Sequence, residues 1–215
     1  MRMKKTTSYI KTCMCITLTG AFLLVPDVFA NMNFMLNFSE ETNIPQIGIL
    51  GNFNGSFNGV LIAGLINLGS HSGTSHGLQI AGFGNSFFPN HYGRSGRLIG
   101  GQIALFGNAT KNLSGGQISL IGNSVESELT GGQIALAGNS AYTLEGFQLS
   151  TGWNNVKKNC YGLQVGMVNT TEYLHGLQIG IYNRAYTGFG VQVGLVNEFG
   201  RDNDRFILPL VNFRF

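Results

Sequence analysis

Charge is scarce in this chain, with 13 Lys/Arg and 10 Asp/Glu making up 11% of 215 residues. Four of the cations (Arg2, Lys4, Lys5, Lys11) and one acid (Asp27) fall in the first 30 residues, so the remainder carries nine of each and is neutral. A neutral body disfavours steering toward nucleic acid or an anionic membrane. Cysteine is scarcer still. Cys13 and Cys15 lie in the opening segment, which leaves only Cys160. It precedes Gln164 by four residues, a place that other stretches fill with Leu113, Leu129, Leu144 and Leu174, so it reads as a small buried hydrophobe rather than a reactive thiol. Beyond residue 30 no run of 18 apolar residues occurs, which excludes a membrane-spanning helix. Amphipathic helical periodicity is missing too. Frequent glycine and apolar residues at period two argue for short strands.

Reaction chemistry is equally sparse. His71, His76, His91 and His175 are the only histidines, and His71 and His76 sit in a Ser/Gly-rich stretch without a carboxylate beside them, a poor zinc site. Asp202 and Asp204 lack the later glutamate of an EF-hand loop. Glu126 and Glu128 share a face if extended, but no other acids accompany them as a glycosidase pair would require. Gly-x-Ser-x-Gly, Walker and dinucleotide fingerprints are absent. The expectation is a non-enzyme with no catalytic residue, no cofactor and no metal.

Two features are present in strength. Residues 1–30 combine a basic start, an apolar stretch to Leu24 and a small-residue site at Val28-Phe29-Ala30, which reads as a secretory signal peptide with the mature chain starting near Asn31. From Gln46 onward a unit Gly-x-Gln-Ile-Ala/Gly-Leu-x-(Gly)-Asn then returns. Clean copies centre on Gln79, Gln102, Gln117, Gln133, Gln148, Gln164, Gln178 and Gln192, with degenerate copies at Gln46, Leu61 and Ile207; successive spacings are 15, 18, 23, 15, 16, 15, 16, 14, 14 and 15. A period of this size marks an array of small units, none of which can bury its apolar face alone. The organisation expected is a first strand or cap over residues 31–43 and one β-repeat domain over 44–215.

Within a unit, strand alternation puts Gly116, Ile118 and Leu120 on one face and Gly115, Gln117 and Ser119 on the other. The aliphatics, Ile118, Leu120, Ile134 and Leu136 among them, are expected to be buried; an outward band of them would instead mark a lipid-facing surface. The closing asparagines (Asn85, Asn108, Asn123, Asn139, Asn154, Asn169, Asn183, Asn197) are read as turn residues tolerant of left-handed backbone. The candidate partner surface is the glutamine face, Gln102, Gln117, Gln133, Gln148, Gln164, Gln178 and Gln192, together with Phe88, His91, Tyr92 and Arg94 in the insertion at residues 87–97.

Two all-β architectures satisfy the pattern. In a β-solenoid each unit is one coil of about 15 residues, and like residues stack about 4.8 Å apart, so that glutamines and asparagines form amide ladders. In a 12-stranded outer-membrane barrel each unit is one antiparallel strand, and residues 205–215 look like the aromatic-ended closing strand, although Pro209 weakens that match. The barrel should repeat every two units and needs a tall outward apolar band. The central units repeat singly and offer a thin stripe. The solenoid is favoured, with Gln117 and Gln133 in parallel register.

The runs Gly162-Leu163-Gln164-Val165-Gly166-Met167-Val168-Asn169, Gly176-Leu177-Gln178-Ile179-Gly180-Ile181-Tyr182-Asn183 and Gly190-Val191-Gln192-Val193-Gly194-Leu195-Val196-Asn197 resemble the tandem repeats of bacterial exported surface-repeat proteins. The resemblance covers about residues 46–197. It implies a Gram-negative envelope location, at the outer membrane, the cell surface or the periplasm, and supplies no catalytic residue or ligand. Leu61 and Ile207, which depart from the motif, would be end or cap units. The function expected is that of a structural or adhesive envelope protein whose partner is an extended ligand or envelope component, not nucleic acid; the alternative is a barrel acting as pore or anchor.

Overall fold

The computed structural model describes residues 36–43, 45–71, 73–89, 96–201 and 204–215, with the side chains at 39–42, 70–71 and 87–89 left aside. Its strands are β1 (Leu36–Thr42), β2 (Gln46–Gly48), β3 (Gly51–Ala63), β4 (Ile66–His71), β5 (Thr74–Ala81), β6 (Gly84–Pro89), β7 (Arg97–Ala104), β8 (Gly107–Thr110), β9 (Asn112–Ser119), β10 (Gly122–Ala135), β11 (Gly138–Ser150), β12 (Trp153–Val165), β13 (Val168–Phe199) and β14 (Phe206–Arg214). Every pairing from β1 to β13 is parallel. Gln102, Gln117 and Gln133 stand in one register, as do Gln148, Gln164 and Gln178. This is a β-solenoid and not a barrel, as the single-unit repeat requires.

Each coil has two strands and two corners. One strand carries the glutamine and bends after it, at 105–106 or 120–121; the second carries the asparagine and passes through a second corner, where the register shifts between Val125 and Glu128 or Ala141 and Leu144. Two residues before each glutamine from Gln79 to Gln178 stands a glycine at positive φ, for example +140° at Gly115 and +132° at Gly131. A Cβ at Gly115 would lie 1.9 Å from the carbonyl oxygen of Gly100 in the coil before, so neither the backbone angle nor the space admits another residue. The glycine column therefore sets how tightly the coils stack.

The alternation within the strand holds, but its polarity is the reverse of the expectation. Gln79, Gln102, Gln117, Gln133, Gln148, Gln164, Gln178 and Gln192 are 0% exposed, whereas Ile118 is 47%, Leu120 55%, Ile134 41% and Leu136 57% exposed. The interior holds a column of Leu98, Leu113, Leu129, Leu144, Cys160 and Leu174, small residues such as Ala104 and Ala135, and the two amide columns. Donors explain the inversion. Each coil leaves inward-facing backbone carbonyls at its corners, and the amides meet them: Gln133 Nε2 donates to the Ser140 carbonyl across the interior (3.2 Å), and Asn123 Nδ2 to that of Ile134 in the next coil (2.8 Å). An aliphatic side chain has no donor to offer.

Those contacts also fix the direction of each ladder, because only the NH₂ end of an amide can face a carbonyl. Asn37, Asn52, Asn67, Asn85, Asn108, Asn123, Asn139, Asn154, Asn169, Asn183 and Asn197 form an unbroken chain, each Nδ2 donating to the Oδ1 of the next coil at 2.6–3.0 Å. Glutamines from Gln102 to Gln192 donate the other way, each Nε2 to the Oε1 of the previous coil at 2.7–3.0 Å. Leu61 occupies the glutamine slot between Gln46 and Gln79, and the ladder stops there with Gln79 Nε2 unpartnered. The asparagines are thus buried strand residues, and the only non-glycine residue at positive φ among the described residues is Leu210, which corrects the left-handed turn reading.

At the C-terminal end β14 runs antiparallel along β13 and terminates the stack. Ile207 lies in this strand opposite Glu198, so it belongs to a cap, one of the two places its departure from the motif suggested, and not to the parallel array. The aromatic-ended segment is a cap instead of a barrel's closing strand. Asn212 seals the interior, donating to the Asn197 carbonyl (3.2 Å).

Replacing Asn123 with Ala removes its bonds to Asn108, Asn139 and the Ile134 carbonyl and is expected to cost about 2–4 kcal/mol. Ile121→Ala, outward at the neighbouring corner, is expected to cost under about 1 kcal/mol. Urea unfolding of the two variants should rank them in that order, and the reverse order would refute the amide interior.

Candidate functional site

Among the described residues, those that composition singled out do not converge. Gln102, Gln117, Gln133, Gln148, Gln164, Gln178 and Gln192 are interior, where no partner reaches them, so the proposed glutamine face is corrected. Phe88 lies on β6 with its side chain outside the description, and His91, Tyr92 and Arg94 lie outside the described residues, as does Asp202. His76 is exposed on β5, Glu126 and Glu128 are exposed together on β10, and Asp204 is an exposed partner of Arg214 (3.1 Å). Among the described residues no three of His, Cys, Asp and Glu come together as a metal-binding group.

Cys160 sits as expected in the leucine column, paired with Leu144 before it and Leu174 after it, and is fully buried. Burial pushes its thiol up to about 12.

One buried acid was missed by sequence reasoning. Glu198 is fully buried in the last coil, with Arg184 Nε 3.2 Å and Arg205 Nε 2.9 Å from Oε1, and its Oε2 accepts from Tyr182 Oη (2.6 Å) and Arg205 Nη2 (3.1 Å). Burial, then the hydrogen bond to Glu198, raises the Tyr182 phenol above its ordinary range. Arg205 belongs to the segment leading into β14, so the cluster ties the cap to the stack. Its signal in the sequence was a charge at the slot after Asn197, where central coils carry Ser124 and Ser140.

The surface itself is partitioned. The exposed charges Glu126, Glu128, Lys157 and Lys158 gather at the second corner. The first corner presents Ile103, Leu105, Phe106, Ile118, Leu120 and Ile121, all exposed, and their equivalents in other coils. Beside it an open groove of about 330 Å³ runs over Gly107, Gly122 and Gly138 to the exposed Trp153, whose indole lies over Gly138. The class defined by fold and surface is a β-solenoid with an amide interior and an apolar edge. Comparison of the chain with protein-family models, curated proteins and solved structures gives no match.

A thiol reagent at pH 8 is expected to leave Cys160 unmodified in the folded protein and to react once urea unfolds it. Because the folded value lies above the unfolded one, near 9, this group's contribution to stability is complete below pH 9 and is lost as pH rises toward 12. Cys160→Ala should remove that alkaline component, and rapid native labelling would show that the column is open.

Proposed function

We propose that the protein is a non-enzymatic, exported component of a bacterial envelope that serves as a rigid scaffold and works through its surface. The observation that carries this reading is the outward apolar corner: side chains a soluble core would have taken in are displayed along the array, while among the described residues the groups able to do chemistry are dispersed or locked into structural contacts. An exposed patch of that kind marks an interaction surface. Residues 1–30, read as a signal peptide, and the resemblance of residues 162–197 to exported surface repeats support the location. The structural role follows from stacking that needs no ligand, and the adhesive role moves from the glutamines to the edge.

Expressed with its own N-terminus in a Gram-negative host, the chain is expected to lose residues 1–30 and appear in the envelope fraction beginning near Asn31. Removing residues 2–24 should hold it in the cytoplasm. A chain that keeps Met1 and stays soluble in the cytoplasm would refute export.

A further inference from the structure

We propose that the first corner of the stack is a lipid-binding edge that seats in the acyl layer of a phospholipid bilayer, with the coil axis lying along the membrane plane. The inference rests on the envelope reading and specifies its partner.

Segregation of charge is the first support. None of the ten segments that turn this corner, 46–52, 61–67, 79–85, 102–108, 117–123, 133–139, 148–154, 164–169, 178–183 and 192–197, contains Asp, Glu, Lys or Arg. Three outward columns run along it. One reads Ile103, Ile118, Ile134 and Ile179, the next Leu105, Leu120, Leu136 and Met167, and the third Leu65, Phe83, Phe106 and Ile121, all exposed. Ten coils at about 4.8 Å each make a ridge about 45 Å long. About twenty half-exposed side chains present on the order of 1,500 Å² of apolar surface, well beyond the roughly 300–600 Å² of the largest patch on an ordinary monomer.

Backbone satisfaction is the second. Hydrocarbon tolerates only chain whose peptide groups are already bonded. At this corner the coils bond to one another, Leu120 N to Leu105 O (2.9 Å), Ile121 N to Phe106 O (3.1 Å) and Leu136 N to Leu120 O (2.9 Å). The Ile118 and Ile134 carbonyls beside it accept from Asn108 and Asn123. The apolar edge can therefore leave water without stranding polar groups, while the charged second corner stays wet. Trp153 and Tyr182, each with a polar atom on an apolar ring, stand where the edge meets the second strand, the level at which bilayers hold such residues.

A second copy of the chain is the competing occupant. The ridge is convex, so two of them would touch along a line and bury only part of that area. The columns named above also offer no hydrogen-bonding side chains to set a register between partners. Fluid acyl chains need neither shape complementarity nor register. Because residues 31–215 carry nine charges of each sign, attraction comes from apolar burial alone, and binding should be indifferent to salt and to anionic lipid.

Residues 31–215 form a compact unit of their own, so the test can be made without the apolar residues 1–30. That unit is expected to float with phosphatidylcholine vesicles equally at 0.1 M and 1 M salt, as order-of-magnitude conditions either side of strong screening. A triple Leu105→Gln, Leu120→Gln, Leu136→Gln variant, checked for retained β circular dichroism, should lose at least about tenfold in partitioning, the factor that about 1.4 kcal/mol supplies. Trp153, the chain's single tryptophan, gives a readout without mutation: its emission should shift to the blue on adding vesicles and be quenched by lipids brominated on the acyl chain. No flotation, flotation unaffected by the triple change, Trp153 unquenched, or a dimer that the triple change dissolves would each overturn the proposal. A chain that floats but is not exported refutes the envelope reading alone; one that is exported but does not float refutes this inference alone.

Discussion

Stacking in register is the constraint from which the rest of the molecule follows. A single buried carboxamide costs several kcal/mol when it finds no partner. In the two ladders every such group finds its own copy one coil away, so the cost recurs only where Leu61 interrupts the glutamine column, where the stack ends, and at Asn54, which lies outside both ladders. Satisfaction then fixes geometry. Because Asn123 must reach both Asn139 and the Ile134 carbonyl, the corner between its strand and the glutamine strand has little freedom in length or direction.

With the amides inside, the aliphatics have only the outside left to occupy. A lone soluble coil could not tolerate this, but the coil-to-coil hydrogen bonds do not depend on which side chains point out. The edge is consequently free to vary: the column holding Leu105, Leu120 and Leu136 also holds Gly64, Gly82, Thr151 and Met167. Trp153 over Gly138 and Phe147 over Gly132 show how a large outward ring is received, on a coil whose residue beneath has no side chain.

Much of the fold was legible in the sequence. The single-unit period implied translation along a stack, and Gln117 and Gln133 are in parallel register as it required. Cys160 in a leucine slot was legible for the same reason. What misled was the assignment of faces, since period two says which residues share a side and not which side is wet. A clue lay inside the chain: the asparagine position is unbroken from Asn52 to Asn197 while the aliphatic positions drift among Ile, Leu, Val, Met, Thr and Gly, and a column that tolerates such changes is one that packs against little. Ile207 was counted with the repeat because it keeps the spacing, and spacing carries no information about strand direction; its departure from the motif did mark a cap. For the insertion at 87–97 the repeat pattern offers no guide, because the segment has no equivalent in other coils.

The two amide ladders run in opposite senses, the asparagines donating toward the C-terminal end and the glutamines toward the N-terminal end. Aligned amides polarise one another and, like the peptides of a helix, would build opposite partial charges at the two ends of a long row. Two rows of opposite sense largely cancel. Adding a coil therefore adds almost no electric moment, and arrays of this kind can lengthen by unit duplication without accumulating an electrostatic penalty at their termini.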